Sequence, residues 1–268
     1  MEILHTVTDA PVEAVLFDFD GTISTLRYGW EAVMRDMMLE LLRVDGGNEA
    51  ALARMVDDYI EESTGIQTIF QMKWLAARVR ELAPEKGLPD DAWWYKDEYN
   101  RRLMRTVAER VEAVSRGACP REAYLIDGAE AFLAALRSRG VACYVASGTD
   151  DADVRREARA LGVDGYFARI AGAPERAEGC AKEAALRMLV AEIGLIGDRI
   201  AVIGDGKVEI GLARGIGARA LGLATDEAAL RGVNAKKRER LIRAGADAVA
   251  GDFLDAQALL AWLGHKEV

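Results

Sequence analysis

Residues 15–24 have the sequence VLFDFDGTIS, and this segment carries the clearest structural signal in the chain. A mainly apolar run over residues 12–19 contains Asp18 and is followed by Asp20, a glycine and a threonine. A short apolar run that stops at a turn signal is typical of a buried strand. We therefore predict a strand over residues 13–19 with two carboxylates at its carboxyl end.

These two carboxylates have two interpretations. Asp and Gly are ordinary turn residues, so the segment can be simply an acidic turn after a strand. Alternatively, the chain bends before Asp20 and both carboxylates converge at the carboxyl edge of a parallel sheet, where α/β proteins bind ligands. Two acids at one point repel each other unless one is protonated or a cation lies between them. The second interpretation predicts a hard divalent cation with oxygen ligands.

Length, composition and charge limit the class of protein. The 268 residues suit one large or two modest domains, and 51% of them are hydrophobic. We find no apolar run long enough to cross a bilayer and no signal-peptide pattern in the first ten residues. A formal net charge of −9 disfavours nucleic acid or an anionic membrane as a partner. We expect a cytoplasmic protein, either a monomer or a homodimer.

Cysteine and histidine are too few and too scattered for several kinds of site. Cys119, Cys143 and Cys180 are widely spaced and odd in number, which favours reduced thiols over a disulfide framework. His5 and His265 lie near the two ends of the chain. This distribution argues against a zinc site and against a Ser-His-Asp or Cys-His mechanism.

The predicted secondary-structure pattern changes twice along the chain. Between residues 28 and 115 the pattern is helical throughout, with helices predicted near 48–62, 67–82 and 92–114 after a first helix that contains Met34 and Met38. From residue 124 onward, strands and helices alternate, which predicts a doubly wound parallel sheet covered on both faces. The predicted strands are 141–146, 167–171, 200–203, 218–223 and an edge strand at 247–250. We assign residues 1–25 and 122–268 to an α/β core and residues 26–121 to an inserted helical domain.

Polar residues follow three further elements of the predicted core. Ser147 and the Gly148 N–H, after the strand 141–146, offer two donors to a phosphate oxygen. Lys182 lies near the start of a helix, and both features favour an anion. Asp205 comes two residues after the strand 200–203, with Glu209 one helical turn later, and so adds a carboxylate to the same edge. Singly, each is also explained by a common turn or a solvated charge.

Taken in order, these four segments resemble the four motifs of the haloacid dehalogenase (HAD) superfamily, whose members are mostly phosphatases. The resemblance extends over nearly the whole chain, and the ordered set is far more specific than any one motif. The inserted helical block is similar to the cap of the subfamily that contains phosphoglycolate phosphatase and β-phosphoglucomutase. The resemblance implies a Rossmann-like core with an all-helical cap inserted after the first motif.

The resemblance also implies catalytic roles. Asp18 would be the nucleophile that attacks phosphorus and forms an aspartyl-phosphate. Asp20 would protonate the leaving alcohol and then activate water, and Thr22 would orient Asp20. The transferring phosphoryl group would be held by Ser147, the Gly148 N–H and Lys182.

The same resemblance implies a magnesium site. Mg²⁺ would be bound by the Asp18 carboxylate, the backbone carbonyl of Asp20 and Asp205. Glu209 matches the second acid of the fourth motif, which is more often Asp in the family. Because its side chain is longer, we expect Glu209 to act through water.

Several reactions share this set of residues. The acid at Asp20 favours a phosphate ester, since the dehalogenase branch has no acid there. The phosphonate-cleaving branch needs a cap lysine, and neither Lys73 nor Lys96 lies in a recognisable motif. The expected activity is a Mg²⁺-dependent phosphomonoesterase acting on a small-molecule phosphate ester. The alternatives are a phosphomutase, which would share every core residue, and a non-catalytic ligand-binding module on the same fold.

Three places are candidates for substrate specificity. Arg27 follows the acidic motif and could bind a second anionic group, or it could be a surface arginine. Gln67 and Thr68 could hydrogen-bond a polyol leaving group, or they could simply begin a helix. The basic helix that contains Lys236 and Lys237 can approach the site in this fold, but a solvated charged face is the favoured interpretation.

Overall fold

The structure is a computed structural model that describes residues 1–176, 181–194 and 197–265. The chain forms two compact units, one from Met1–Tyr28 with Arg110–Val268 and the other from Gly29–Glu109. The second division comes twelve residues before the predicted boundary at 121/122. It falls there because Arg110 already belongs to the first unit, where its Nη1 donates to the carbonyl oxygens of Leu26 and Tyr28 at 2.7 and 2.9 Å.

The first unit is built on a seven-stranded sheet with the order β1-β7-β6-β5-β2-β3-β4. All neighbouring strands are parallel except β1 and β7. The predicted α/β class with a doubly wound sheet is confirmed. The described strands are β1 (Glu2–Ile3), β2 (Ala14–Phe17), β3 (Ala142–Asp150), β4 (Arg169–Ala173), β5 (Ile200–Gly204), β6 (Arg219–Leu223) and β7 (Ala248–Ala250).

The edge of this sheet differs from the prediction. Strand β7 was expected at the edge, but β1 pairs antiparallel with it, and Glu2 lies opposite Val249. We missed β1 because two residues are too few to show an apolar alternation. Strand β3 is also longer than predicted, since it continues to Asp150 through Ser147.

Helices flank the sheet and make up the second unit. Within the described residues, each predicted helix of the inserted block begins and ends within two residues of an observed one. The described α-helices are α1 (Trp30–Leu42), α2 (Glu49–Ser63), α3 (Thr68–Leu82), α4 (Ala92–Ser115), α5 (Ala129–Ser138), α6 (Asp151–Ala160), α7 (Ala181–Ile193), α8 (Lys207–Ile216), α9 (Ala235–Arg243) and α10 (Ala256–Trp262). Cys180, predicted as a reduced thiol at the start of α7, lies outside the described residues.

The second unit has a core of its own. Met34, Met37 and Met38 on α1 are fully buried, as the spacing of these residues in the sequence indicates. Asn48 caps α2 by accepting a hydrogen bond from the Ala51 N–H at 3.0 Å. In the described part of the chain, no helix is long and apolar enough to span a bilayer.

Strand register positions the carboxyl edge of the sheet. Strand β2 lies between β3 and β5, and Phe17 is level with Val145 on one side and Ile203 on the other. The ring of Phe17 packs edge-on against Phe132 with a centroid distance of 6.4 Å. Residues that come just after Phe17, Val145 and Ile203 therefore lie side by side at one edge.

Candidate active site

Asp18 is the first residue after β2, and its side chain is held at both oxygens. The Phe19 N–H donates to Oδ1 at 2.8 Å, and Lys182 Nζ donates to Oδ2 at 2.7 Å. Lys182 is the second residue of α7, and it also donates to Glu209 Oε1 on α8. All three side chains are buried. A single ammonium group thus links two buried carboxylates at the sheet edge.

The charges in this group are strongly coupled. Burial raises the pKa of Asp18 well above its usual value; Lys182 opposes the rise, while the negative charges of Glu209 and Asp205 add to it. Burial by itself would lower the pKa of Lys182, but the charges of Asp18 and Glu209 raise it. Lys182 is therefore a cation throughout the physiological pH range.

A second ammonium group holds the carboxylate that follows β5. Lys237 Nζ donates to Asp205 Oδ2 at 2.8 Å and to Glu227 Oε1 at 2.5 Å. Burial opposes ionisation of Asp205, yet the charge of Lys237 keeps its pKa below the usual value. The Lys237 side chain is only 13% exposed. The expectation of a solvated charged face at the start of α9 is therefore wrong for Lys237.

Neither Lys237 nor Glu227 was among the predicted site residues. Glu227 lies four residues after β6 and Lys237 lies in the first turn of α9, so both follow a strand that ends at the same edge. The available sequence signal is an acid in the loop after β6 and a lysine in the first turn of the helix that follows. A charged side chain in such a loop has no pattern of its own that distinguishes it from a solvated one.

Asp20 is held by two hydroxyl groups from β3. Thr149 Oγ1 donates to Asp20 Oδ2 at 2.8 Å, and Ser147 Oγ donates to the same oxygen at 3.3 Å. Both hydroxyl-bearing residues lie where the pairing of β3 with β4 shifts register, between Ala146 and Asp150. Thr149 was not predicted, although it lies two residues from Ser147 and so has the spacing of residues that share a strand face.

Thr22 does not make the contact predicted for it. Its Oγ1 is buried and has no hydrogen-bond partner among the described residues. Its N–H donates to the Phe19 carbonyl at 3.3 Å and so helps to close the turn after β2. Thr149, rather than Thr22, is the threonine that contacts Asp20.

Arg27 is bound by carboxylates within the first unit. Its Nη2 donates to Glu157 Oε1 on α6 at 2.7 Å, and it also lies 3.5 Å from Asp153 Oδ2. Its Nε lies 3.8 Å from Asp20 Oδ1. The guanidinium predicted to bind a second substrate anion thus already has internal anionic partners.

The other predicted substrate-binding residues, Gly148 and the pair Gln67 and Thr68, lie in different units of the chain. Gly148 lies within the irregular part of β3, between the two hydroxyl-bearing residues. Gln67 precedes α3 and Thr68 begins it, both in the second unit. Their assignment to substrate binding stays a prediction.

The buried Glu157 carboxyl is expected to make the free energy of unfolding depend on pH. Burial raises the pKa of Glu157 from 4.5 to about 7, although the charge of Arg27 opposes the shift. Between these values the folded protein binds more protons than the unfolded chain, so its free energy of unfolding falls as the pH rises from about 4.5 to about 7. Across pH 5 to 8, we expect urea unfolding to show a decrease about 2 kcal/mol larger in the wild type than in Glu157→Gln. Equal decreases would contradict the shift.

Gly21 is required by the close approach of its backbone to Asp205. Its φ is +71°, and a Cβ at this position would lie 2.5 Å from Asp205 Oδ2. Gly140 has nearly the same φ, +73°, with nothing within 4 Å of a Cβ. We expect Gly140→Ala to lower the free energy of unfolding by about 1 kcal/mol, through backbone strain alone.

The corresponding change at the site is more severe. Gly21→Ala adds the collision with Asp205 to the same strain, so its cost in urea unfolding should exceed that of Gly140→Ala by about 1 to 2 kcal/mol. Equal costs would mean that Asp205 moves aside freely and that the turn does not constrain it.

The residues at this edge fit a divalent cation in donor chemistry and in charge. In the ranges that the structure describes, no three acidic, histidine or cysteine side chains are grouped to enclose an ion. Ammonium groups contact Asp18 and Asp205 at this edge. Glu209 Oε2 is buried without a hydrogen-bond partner among the described residues. The donors are all oxygens, as Mg²⁺ requires.

The charge balance supports the same conclusion. Two ammonium groups, Lys182 and Lys237, serve four carboxylates, which leaves a formal charge of −2. The four carboxylates are those of Asp18, Glu209, Asp205 and Glu227. One divalent cation would neutralise this group.

Comparisons with known proteins agree with the fold and with the family that the motifs resemble. The sequence model of the family described as a haloacid dehalogenase-like hydrolase matches residues 12–217. No curated protein matches the sequence significantly. Three solved structures illustrate the likeness in fold.

A predicted phosphoglycolate phosphatase from Haemophilus somnus 129pt is 17% identical with a TM-score of 0.61, over 95% of this chain and 99% of that one. β-Phosphoglucomutase from Clostridium difficile is 15% identical with a TM-score of 0.62, over 94% and 97%. A hydrolase from Pseudomonas syringae is 21% identical with a TM-score of 0.57, over 93% and 98%.

The TM-scores show a shared fold despite the low sequence identities. The family match, in contrast, rests on sequence and spans most of the chain. It includes the segments that carry Asp18, Ser147, Lys182 and Asp205. The protein therefore belongs to the haloacid dehalogenase-like hydrolases.

Proposed function

We propose that this protein is a Mg²⁺-dependent phosphomonoesterase that hydrolyses a small phosphate ester through an aspartyl-phosphate intermediate. The observation that carries the proposal is the pair of carboxylates on the turn after β2. Asp18 is held by Lys182 and the Phe19 N–H, while Asp20 is held by hydroxyls of β3. Two acids in different environments on one turn suit a nucleophile and a separate acid–base group.

In the first step, an Asp18 carboxylate oxygen forms a bond to phosphorus while the bond from phosphorus to the ester oxygen breaks. The departing alcohol oxygen takes a proton from Asp20, which is then a carboxylate. Lys182, the Ser147 hydroxyl and the Gly148 N–H stabilise the negative oxygens of the phosphoryl group. This step accounts for the buried ammonium group beside the nucleophile.

In the second step, a water molecule attacks phosphorus and Asp20 accepts its proton. The bond between phosphorus and the Asp18 oxygen breaks, which releases inorganic phosphate and restores the Asp18 carboxylate. Thr149 keeps Asp20 Oδ2 in place for both transfers, and the proton gained in this step replaces the one that was given up in the first.

Mg²⁺ would be held by the Asp18 carboxylate, the backbone carbonyl of Asp20 and Asp205, with Glu209 acting through water. When bound, it would neutralise charge on the phosphoryl oxygens and orient them for in-line attack. The oxygen-only donors and the formal charge of −2 support this assignment.

The class of substrate is proposed on two grounds. The structures that are similar over nearly the whole chain include a predicted phosphoglycolate phosphatase and a β-phosphoglucomutase, both named for small phosphate esters. The acidic net charge disfavours a polyanionic macromolecule. We propose a sugar phosphate or a phosphoglycolate-like acid.

The proposed function is tested by phosphate release from a panel of small phosphomonoesters, with Mg²⁺ and with EDTA. We expect release that needs Mg²⁺, stops with EDTA and returns when Mg²⁺ is added in excess. A folded, Mg²⁺-binding protein that releases phosphate from none of the esters would contradict the phosphatase. Phosphoryl migration within a sugar phosphate, detected by ³¹P NMR, would then identify a phosphomutase.

A further inference from the structure

Lys237 bridges two carboxylates, and only one of them belongs to the motifs that the sequence revealed. Its Nζ lies 2.8 Å from Asp205 Oδ2 and 2.5 Å from Glu227 Oε1. The three side chains are 12 to 17% exposed, so solvent screens their charges only weakly. In this trio of Asp205, Lys237 and Glu227, a change in the charge of Lys237 or Glu227 therefore alters the electrostatic potential at Asp205.

The trio lies directly against the turn that carries the acid–base group. A Cβ on Gly21 would meet Asp205 Oδ2 at 2.5 Å and Glu227 Oε1 at 3.3 Å. Glu227 thus approaches the peptide that follows Asp20, whose carbonyl is a proposed ligand of Mg²⁺. It does so from the loop after β6, which lies outside the four motif segments.

Glu227 is carried by a loop that is tied to the rest of the first unit. The Asp226 N–H donates to the Gly232 carbonyl at 3.0 Å and closes the loop on itself. The Asp127 N–H donates to the Leu230 carbonyl at 2.9 Å and anchors the loop tip. These hydrogen bonds set the position of Glu227.

Lys237 is equally constrained at its backbone. Asn234 caps α9, and its Oδ1 accepts a hydrogen bond from the Lys237 N–H at 3.1 Å. Both side chains of the ion pair are therefore carried by backbone that is itself held by hydrogen bonds.

We infer that Glu227 and Lys237 set the Mg²⁺ affinity of Asp205, with Lys237 competing for the Asp205 carboxylate and Glu227 drawing Lys237 away from it. This inference rests on the proposed function. An ammonium group on a carboxylate opposes a second cation there, because like charges repel across a short, poorly screened distance. A neighbouring acid that shares the ammonium group weakens this opposition, so the two residues act in opposite directions.

The test is Mg²⁺ binding, measured by isothermal titration calorimetry on the full chain without substrate. Glu227→Gln removes the charge that draws Lys237 away, so Kd for Mg²⁺ should rise about tenfold. Lys237→Met removes the competing cation, so Kd should fall about tenfold. Two matched controls, Asp226→Asn and Lys236→Met, remove the same charges from exposed neighbours and should change Kd less than about twofold.

The outcomes separate this inference from the proposed function. If the wild type binds Mg²⁺ and Asp205→Asn does not, unchanged affinity in Glu227→Gln and Lys237→Met overturns the inference alone. Weaker binding in both variants also overturns it, because a purely structural pair would lose affinity either way. No Mg²⁺ binding by the wild type overturns the inference together with the metal dependence on which it rests. Glu227→Gln keeps Lys237 on Asp205, so it remains a test if Lys237→Met does not fold.

Discussion

Asp18→Asn is expected to lower the rate of phosphate release by about 10⁴-fold or more, since the amide cannot attack phosphorus to form the acyl phosphate. The substitution keeps the size of the side chain and an oxygen for the Phe19 N–H. It also leaves Lys182 with Glu209 as a buried partner. The loss is therefore expected without a large change in fold, as measured by steady-state phosphate release and by urea unfolding of the same samples.

A matched control separates this effect from a general cost of replacing aspartate. Asp58→Asn makes the same chemical change on the exposed face of α2 and should leave phosphate release unchanged. Retention of more than about a tenth of wild-type activity by Asp18→Asn would rule out Asp18 as the nucleophile. A covalent phosphoaspartate trapped from the wild type, and absent from Asp18→Asn, would supply the direct chemical evidence.

Lys182→Met is expected to damage both stability and activity. It leaves Asp18 and Glu209 buried without their common counter-ion, and the free energy of unfolding should fall by about 3 to 5 kcal/mol. Phosphate release should fall about 10³-fold, because a charge on the phosphoryl oxygens is also lost. Urea unfolding and steady-state kinetics measure the two losses, and the exposed Lys236→Met serves as the control.

A double variant separates the two losses. Lys182→Met with Glu209→Gln removes one of the two stranded charges, so about 2 kcal/mol of stability should return while activity stays low. If activity returned along with stability, Lys182 would act only by keeping the protein folded. If Lys182→Met alone were as stable as the wild type, the two carboxylates would have to be neutral in the folded protein.

The motif positions could be predicted because each depends on a local pattern. An apolar run, a stop signal and a polar residue are contiguous at Asp18, at Ser147 and at Asp205. Parallel pairing then requires the carboxyl ends of β2, β3 and β5 to point to one edge. The observed register aligns Phe17 with Val145 and Ile203, as this requires. The helical block was predictable for the same reason, since the spacing of Met34 and Met38 lies within one helix.

The contacts of the site could not be predicted in this way. Thr149 reaches Asp20 across 129 residues of chain, and Arg27 reaches Glu157 across 130. Thr149 contacts Asp20 instead of Thr22, and it does so in a part of β3 where the pairing with β4 shifts register. Composition and periodicity do not encode such a shift.

By itself, the sequence determined the order of the strands and helices apart from β1, the acids at the strand ends and the family, since these follow from patterns within short segments. Only the tertiary structure decided which charged side chains form ion pairs with each other. Lys237 has the same local sequence context as the exposed Lys236, yet it lies between Asp205 and Glu227. The reason is that the partner of a buried charge depends on how distant strands and loops pack together, and that packing is a property of the whole sheet.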